Sequence, residues 1–225
     1  MNSVTSAPIN TSLVTSVSLP FSRLHPSANS KIKRLLDIMG SLVGLVILAI
    51  AFVPIAIAIR LDSPGPIFYQ QQRCGLHGQP FTLRKFRTMV QNADELKALV
   101  PNEAKGAIFK NENDPRVTRI GRFLRRTSLD ELPQFWNVLV GQMSLVGTRP
   151  PTLDEVNQYN EYHWRRLDVK PGLTGEWQVS GRSTVKDFDA IVDLDLRYQS
   201  AWTPWYDILL IFKTIYVIFA RSGAY

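Results

Sequence analysis

The sequence predicts a mainly α protein with a few short strands, an α+β chain organised around one membrane-inserted helix. Three observations predict it. Residues 38–59, IMGSLVGLVILAIAFVPIAIAI, run for 22 positions without a charge. At about 1.5 Å per residue such a helix reaches roughly 33 Å, enough to cross the hydrocarbon core of a bilayer. Most other apolar residues recur at helical spacing, and the extended segments are few and short. The 225 residues also carry 26 Lys and Arg against 19 Asp and Glu, a net charge of +7. That surplus beside an apolar run argues against a freely soluble protein and points to anionic lipid or phosphate partners. Charge alone also admits nucleic acid, but no nucleic-acid-binding module is recognisable and none is expected as a partner.

Taken in order, residues 1–30 contain 11 Ser and Thr and three prolines, without a basic start or an apolar stretch. They read as a disordered, dispensable tail and not as a secretory signal. Residues 31–60 are the membrane helix. Lys31, Lys33 and Arg34 precede the run, and Arg60, Arg73, Arg84, Lys85 and Arg87 follow it. With both flanks basic, the positive-inside bias does not choose an orientation. Pro54 removes the bond to the Ile50 carbonyl and predicts a kink. A segment that enters the membrane and returns and a slightly kinked single span are then about equally compatible with the residues.

Residues 61–225 form the third unit. A strand is expected at 67–70, an extended segment at 81–89 and a short helix at 92–100, followed by a polar, mobile loop at 101–113. Helices are expected at 116–126 and 130–140, the second capped by Asp130 or a close neighbour with Pro133 in its first turn. Further helices are expected at 152–167 and 183–200, with Asp193 and Asp195 on a solvated face. An amphipathic helix over 207–221 closes the chain, too short and too charged to span. Trp202 and Trp205 fit an interfacial belt or core packing. The single cysteine, Cys74, excludes an internal disulfide and fits a reducing compartment. The three histidines are scattered without metal-ligand spacing.

Three constellations could carry chemistry. In Arg125-Arg126-Thr127-Ser128-Leu129-Asp130-Glu131 two adjacent carboxylates follow an arginine-rich helix. One could attack phosphorus while the other holds a divalent cation. The plain alternative is a capping box from Ser128 to Glu131. Gly147-Thr148-Arg149-Pro150-Pro151 could fix a guanidinium as a phosphate clamp, or be a loop with a surface salt bridge. In the Lys170 to Arg182 stretch, glycines permit close backbone approach to a ligand, Arg182 could hold a diphosphate, and Trp177 could stack or lie in the core.

Together these segments resemble the bacterial sugar transferases, or monotopic phosphoglycosyl transferases. The matching stretches run in family order over residues 31–225: Lys33-Arg34 with Asp37, Arg73-Cys74-Gly75, Lys85-Phe86-Arg87-Thr88-Met89, Ser128 to Gln134 with Asn137-Val138-Leu139, Met143 to Pro150, Lys170 to Gly175, and Gly181-Arg182. Two positions depart from the pattern: Val53-Pro54 stands where Ser-Pro is common, and Cys74 where proline is frequent.

The resemblance implies transfer of a sugar phosphate from a UDP-sugar to undecaprenyl phosphate with release of UMP. Asp130 would be the nucleophile, forming a covalent phosphosugar intermediate, and Glu131 would hold Mg²⁺ together with Asp130. Lys85, Arg125, Arg149 and Arg182, and with weaker support Asp207, would bind substrate and phosphate. The anchor would be re-entrant, kinked at Pro54, with interfacial amphipathic helices around a catalytic domain on the cytoplasmic face of the bacterial plasma membrane. Larger relatives carry more membrane helices upstream, so this would be a minimal catalytic form. The final stretches resemble exopolysaccharide and capsule starter enzymes, which lean to a hexose such as glucose or galactose. The sequence leaves the oligomeric state open, a homodimer included. The rival functions are a non-enzymatic membrane adaptor that binds anionic lipid, and a membrane-tethered nucleic-acid binder.

Overall fold

A computed structural model describes residues 24–181 and 185–220. The chain is mostly helical with short strands, as expected, and its organising element is one long helix. After a single turn, α1 (Pro26–Asn29), helix α2 (Lys31–Asp62) runs for 32 residues, capped by the Ser30 hydroxyl on the Lys33 N–H. The described chain therefore starts inside the stretch expected to be disordered. His25 Nε2 lies 3.0 Å from the Gln199 carbonyl oxygen and Ser27 is buried, so this end of the tail is tied to the domain.

Helix α2 is two-sided. One side grips the rest of the chain along its whole length. The Asp37 carboxylate accepts from the Ser144 hydroxyl and the Leu145 N–H, both at 2.8 Å. Arg34 donates to the Val138 and Leu139 carbonyls at 2.9 and 2.6 Å. Gly44 lies so close to the Phe135 ring that an added Cβ would sit 2.3 Å from it. Past Pro54, Ile55 and Ile59 are buried against Phe86, Leu124 and Leu132, and the Asp62 carboxylate accepts from the Ile120 N–H at 2.9 Å. The other side is an unbroken stripe of exposed apolar residues, among them Leu35, Met39, Val46, Ile50, Ile57 and Leu61, recurring every three to four positions or their multiples.

Strands β1 (Phe68–Cys74) and β2 (Pro80–Phe86) form an antiparallel hairpin in register from Phe68↔Phe86 to Cys74↔Pro80. The tight turn needs left-handed backbone at His77 and Gly78, φ 53° and 75°. Strand β1 is longer than expected because its polar Gln residues alternate between an exposed and a half-buried side, which sequence polarity hid. Phe81 and Leu83 point into a cluster with Val138 and Met143.

The region 92–100 holds a 3₁₀ helix, Glu95–Leu99. The polar loop is irregular but anchored. Asn102 bridges its backbone to Ala104, Ile108 and Lys110, and Ile108 is buried against Trp177 and Phe188. Helix α3 (Arg119–Arg126) begins at the Thr118 cap. At Gly121 a Cβ would lie 2.0 Å from the Thr88 carbonyl oxygen, so only glycine lets α3 rest on the segment just after β2.

The helix expected over 130–140 is two pieces, a 3₁₀ helix, Leu129–Gln134, and α4 (Phe135–Leu139). That over 152–167 is broken into α5 (Leu153–Val156), α6 (Glu161–Trp164) and a 3₁₀ turn, because Thr152 and Asn160 each cap a fresh helix start. Two short strands went unforeseen. Strand β3 (Ser144–Val146) pairs in parallel with β4 (Gly172–Thr174). Gly147 and Gly172 let these backbones meet, an added Cβ on Gly172 lying 2.1 Å from the Gly147 nitrogen. Those glycines serve chain-to-chain packing, and Gly172 also lines a hollow beside Glu131.

The chain ends with α7 (Glu176–Val179), α8 (Phe188–Ala201) and α9 (Pro204–Phe219). Asp195 is not on a solvated face. It is buried and paired with the equally buried Arg166 at 2.6 Å. The two tryptophans divide: Trp202 packs inward and donates to Asp207, whereas Trp205 is exposed beside Phe212 and Tyr216 on the outer side of α9.

Candidate active site

The two adjacent carboxylates do not cap a helix. The chain enters the 3₁₀ segment through Ser128, which adopts left-handed backbone at φ 56° and makes no capping bond through its side chain. A serine held there is a strained position in an otherwise regular stretch. The tighter winding turns Asp130 and Glu131 toward β2. Lys85 Nζ lies 2.8 Å from a Glu131 oxygen and 4.0 Å from an Asp130 oxygen. Asp130 is 6 % exposed.

Two connected hollows open here. An inner cavity of about 260 Å³ is walled by Glu131, Lys85, Arg73, Arg125, Arg149 and Trp177, among others. A wider groove of about 1180 Å³ reaches Asp130 and the arginines of α3. Lys85, Arg73, Arg125 and Arg149 border both, while Glu131 borders the inner cavity and Asp130 the wider groove.

Each is held by a distinct device. Arg125 Nε donates to the Thr88 hydroxyl at 2.9 Å, the same residue on which Gly121 rests. Arg149 forms the salt bridge that was the plain alternative, a two-pronged pair with Glu155 at 2.9 and 3.1 Å. The pair is not on the surface, however. Glu155 is buried; burial pushes its carboxyl up, but the charges of Arg149 and Arg73 and the Thr152 N–H together hold it below the usual range. Glu155 thus fixes the guanidinium plane of a residue that still faces the cavity. Arg73 donates to the Pro150 carbonyl at 2.9 Å. Burial and the Arg149 charge bring it down to about 10, so it remains cationic at neutral pH.

In the sequence Arg73 stands out only as a basic residue after the apolar run and as part of a family motif. Its place in a strand, two residues beyond Gln71 on the same face, was the signal that could have assigned it. Gln134 was missed likewise, one 3₁₀ turn after Glu131 and therefore on the same side of the segment. Asp207 stands apart. It is 2 % exposed, receives Lys33 at 2.7 Å, Tyr198 at 2.8 Å and Trp202 at 3.1 Å, and borders neither hollow. Arg182 lies outside the described residues. Trp177 is buried in the core cluster with Ile108 and also borders the inner cavity. Burial pushes the Cys74 thiol up to about 11, away from reactivity.

The sequence profile described as bacterial sugar transferase matches residues 28–221. The chain belongs to this family. Among bacterial sugar transferases it is 50 % identical over 194 residues to the galactosyl transferase CpsE of Streptococcus agalactiae, covering 85 % of this chain and 43 % of that protein. It is 46 % identical over 200 residues to the undecaprenyl-phosphate galactose phosphotransferase of Salmonella typhimurium, covering 86 % and 42 %. With the UDP-glucose:undecaprenyl-phosphate glucose-1-phosphate transferase of Escherichia coli it shares 40 % identity over 204 residues, covering 88 % and 42 %. The chain thus spans about two-fifths of the length of these three sugar transferases.

Proposed function

We propose that the protein transfers a hexose 1-phosphate, glucose or galactose being favoured, from a UDP-hexose to undecaprenyl phosphate. It would thereby start an exopolysaccharide or related glycoconjugate. The observation that carries this reading is a pair of adjacent carboxylates, Asp130 buried and Glu131 partly so, on hollows that four cations border, in a family whose named relatives use these substrates. An Asp130 oxygen attacks the β-phosphorus of the donor. A P–O bond forms, the bond to the bridging oxygen breaks, and UMP leaves with the electron pair. An oxygen of the lipid phosphate then attacks the aspartyl-bound phosphorus, forming the lipid diphosphate sugar and freeing the Asp130 carboxylate. Lys85, Arg73, Arg125 and Arg149 neutralise phosphate charge at both stages, which is the main demand of phosphoryl transfer.

Among the described residues no third His, Cys, Asp or Glu joins Asp130 and Glu131 in a metal-binding group. Such a donor set fits Mg²⁺, which takes one or two carboxylates and completes its shell with phosphates and water. Bound there, Mg²⁺ would supply charge neutralisation on the transferring phosphoryl group.

The purified protein in lipid discs with undecaprenyl phosphate is expected to release UMP from UDP-glucose or UDP-galactose. Absence of release across a UDP-sugar panel, with anionic-lipid binding retained, would favour the adaptor instead.

The same reading places the protein in the bacterial plasma membrane, the catalytic unit facing the cytoplasm. Support comes from α2 and α9. Their exposed apolar sides suit lipid, and both ends of α2 are bound to one body, through Asp37 near the start and Asp62 at the finish. A helix so held enters and leaves the bilayer on one side. Tags at residues 1 and 225 are accordingly expected to share protection in sealed vesicles of known sidedness. Protection of one alone sinks the re-entrant arrangement.

A further inference from the structure

Five buried side-chain polar atoms among the described residues have no hydrogen-bond partner, and three of them belong to residues that wall the inner cavity. They are Gln134 Nε2, Trp177 Nε1 and Gln178 Oε1. Gln134 and Trp177 are 3 % and 7 % exposed. A buried donor or acceptor left unpaired costs stability, and native folds keep few of them. The three residues share one small hollow beside Glu131, where a side-chain shift would bring these atoms to a ligand that completes them.

We propose that these three residues form the recognition subsite for the hexose ring of the donor. This rests on the proposed UDP-hexose reaction. Two donors and one acceptor suit hydroxyls, each of which both donates and accepts. Leu83, Ile108 and Leu173 supply apolar wall for the ring's carbon face. Position chooses the hexose over the base. The sugar is one oxygen away from the reacting phosphorus, whereas the uracil is separated from it by a second phosphate and a ribose. Gln134 follows Glu131 by one 3₁₀ turn, and Glu131 and Lys85 wall the same hollow. The wider groove, with its arginines, is left for the nucleotide and the lipid phosphate. Gln134, Trp177 and Gln178 are therefore specificity-determining residues.

Binding and turnover test this together on the full chain in lipid discs. Glucose 1-phosphate, galactose 1-phosphate and UMP are the binding probes, and the variants are Gln134→Leu and Trp177→Phe. Each variant is expected to weaken binding of at least one hexose phosphate by about fivefold or more, and UMP by less than about twofold. In turnover each is expected to change the kcat/KM ratio between UDP-glucose and UDP-galactose by about fivefold or more. A parallel loss of UMP binding with an unchanged ratio assigns the hollow to the base and overturns the proposal. So does a wild type that binds neither hexose phosphate, or variants that bind and discriminate as the wild type does. If hexose phosphate binding follows the expected pattern but no UDP-sugar is turned over, the subsite stands and the reaction falls. If turnover proceeds and the variants discriminate normally, the reaction stands and the subsite falls. Thermal melting checks folding, and the half-buried Gln178→Leu replaces any variant that fails it.

Discussion

Asp130→Asn is expected to lower UMP release by at least about 10³-fold, because an amide cannot attack phosphorus as a carboxylate does. Asparagine matches aspartate in shape, and the principal partner of Lys85 is Glu131 at 2.8 Å, so the fold should survive the exchange. Donor labelled in the hexose is expected to leave a covalent label on the wild type when lipid phosphate is withheld, and none on the variant. Loss of turnover with the label retained would move the nucleophile elsewhere. Full activity in Asp130→Asn would remove Asp130 as the nucleophile.

The second large effect concerns stability. Lys33 and Asp207 are almost fully buried and 2.7 Å apart, and they join α2 to α9. Lys33→Met leaves a buried carboxylate without its cation. Such a loss costs about 3–5 kcal/mol, which for a chain of this size lowers Tm by roughly 6–20 °C. Lys33→Met combined with Asp207→Leu is expected to recover part of that, because no charge remains unpaired. Recovery should be incomplete, since Tyr198 and Trp202 lose the carboxylate they donate to. Thermal unfolding in lipid discs reads both. Single and double variants with the wild-type midpoint would show that the pair contributes nothing.

Residues with a local signal were legible in the sequence. The uncharged run announced α2, the acidic pair and Arg149 stood out as constellations, and the family resemblance marked Lys85 and Arg125; each of the five borders at least one of the two hollows. What stayed hidden depended on distant partners. The pairing of β3 with β4 is set by two glycines far apart in sequence. Asp195 reads as solvated until Arg166 is brought to it, and nothing near Asp207 in sequence shows that Lys33 meets it. Glu131 was ambiguous because a capping box and a catalytic pair share one pattern, and only the left-handed turn at Ser128 separates them.

Helix α2 carries the exposed apolar stripe on one side and packs against Leu124 and Leu132 with the other, and Leu132 lies two residues from Asp130. In the proposed orientation α2 would fix the level of the proposed nucleophile against the bilayer. A thicker or thinner membrane would then shift anchor and carboxylate as one piece, so that a lipid phosphate would meet the carboxylate at a height that α2 sets.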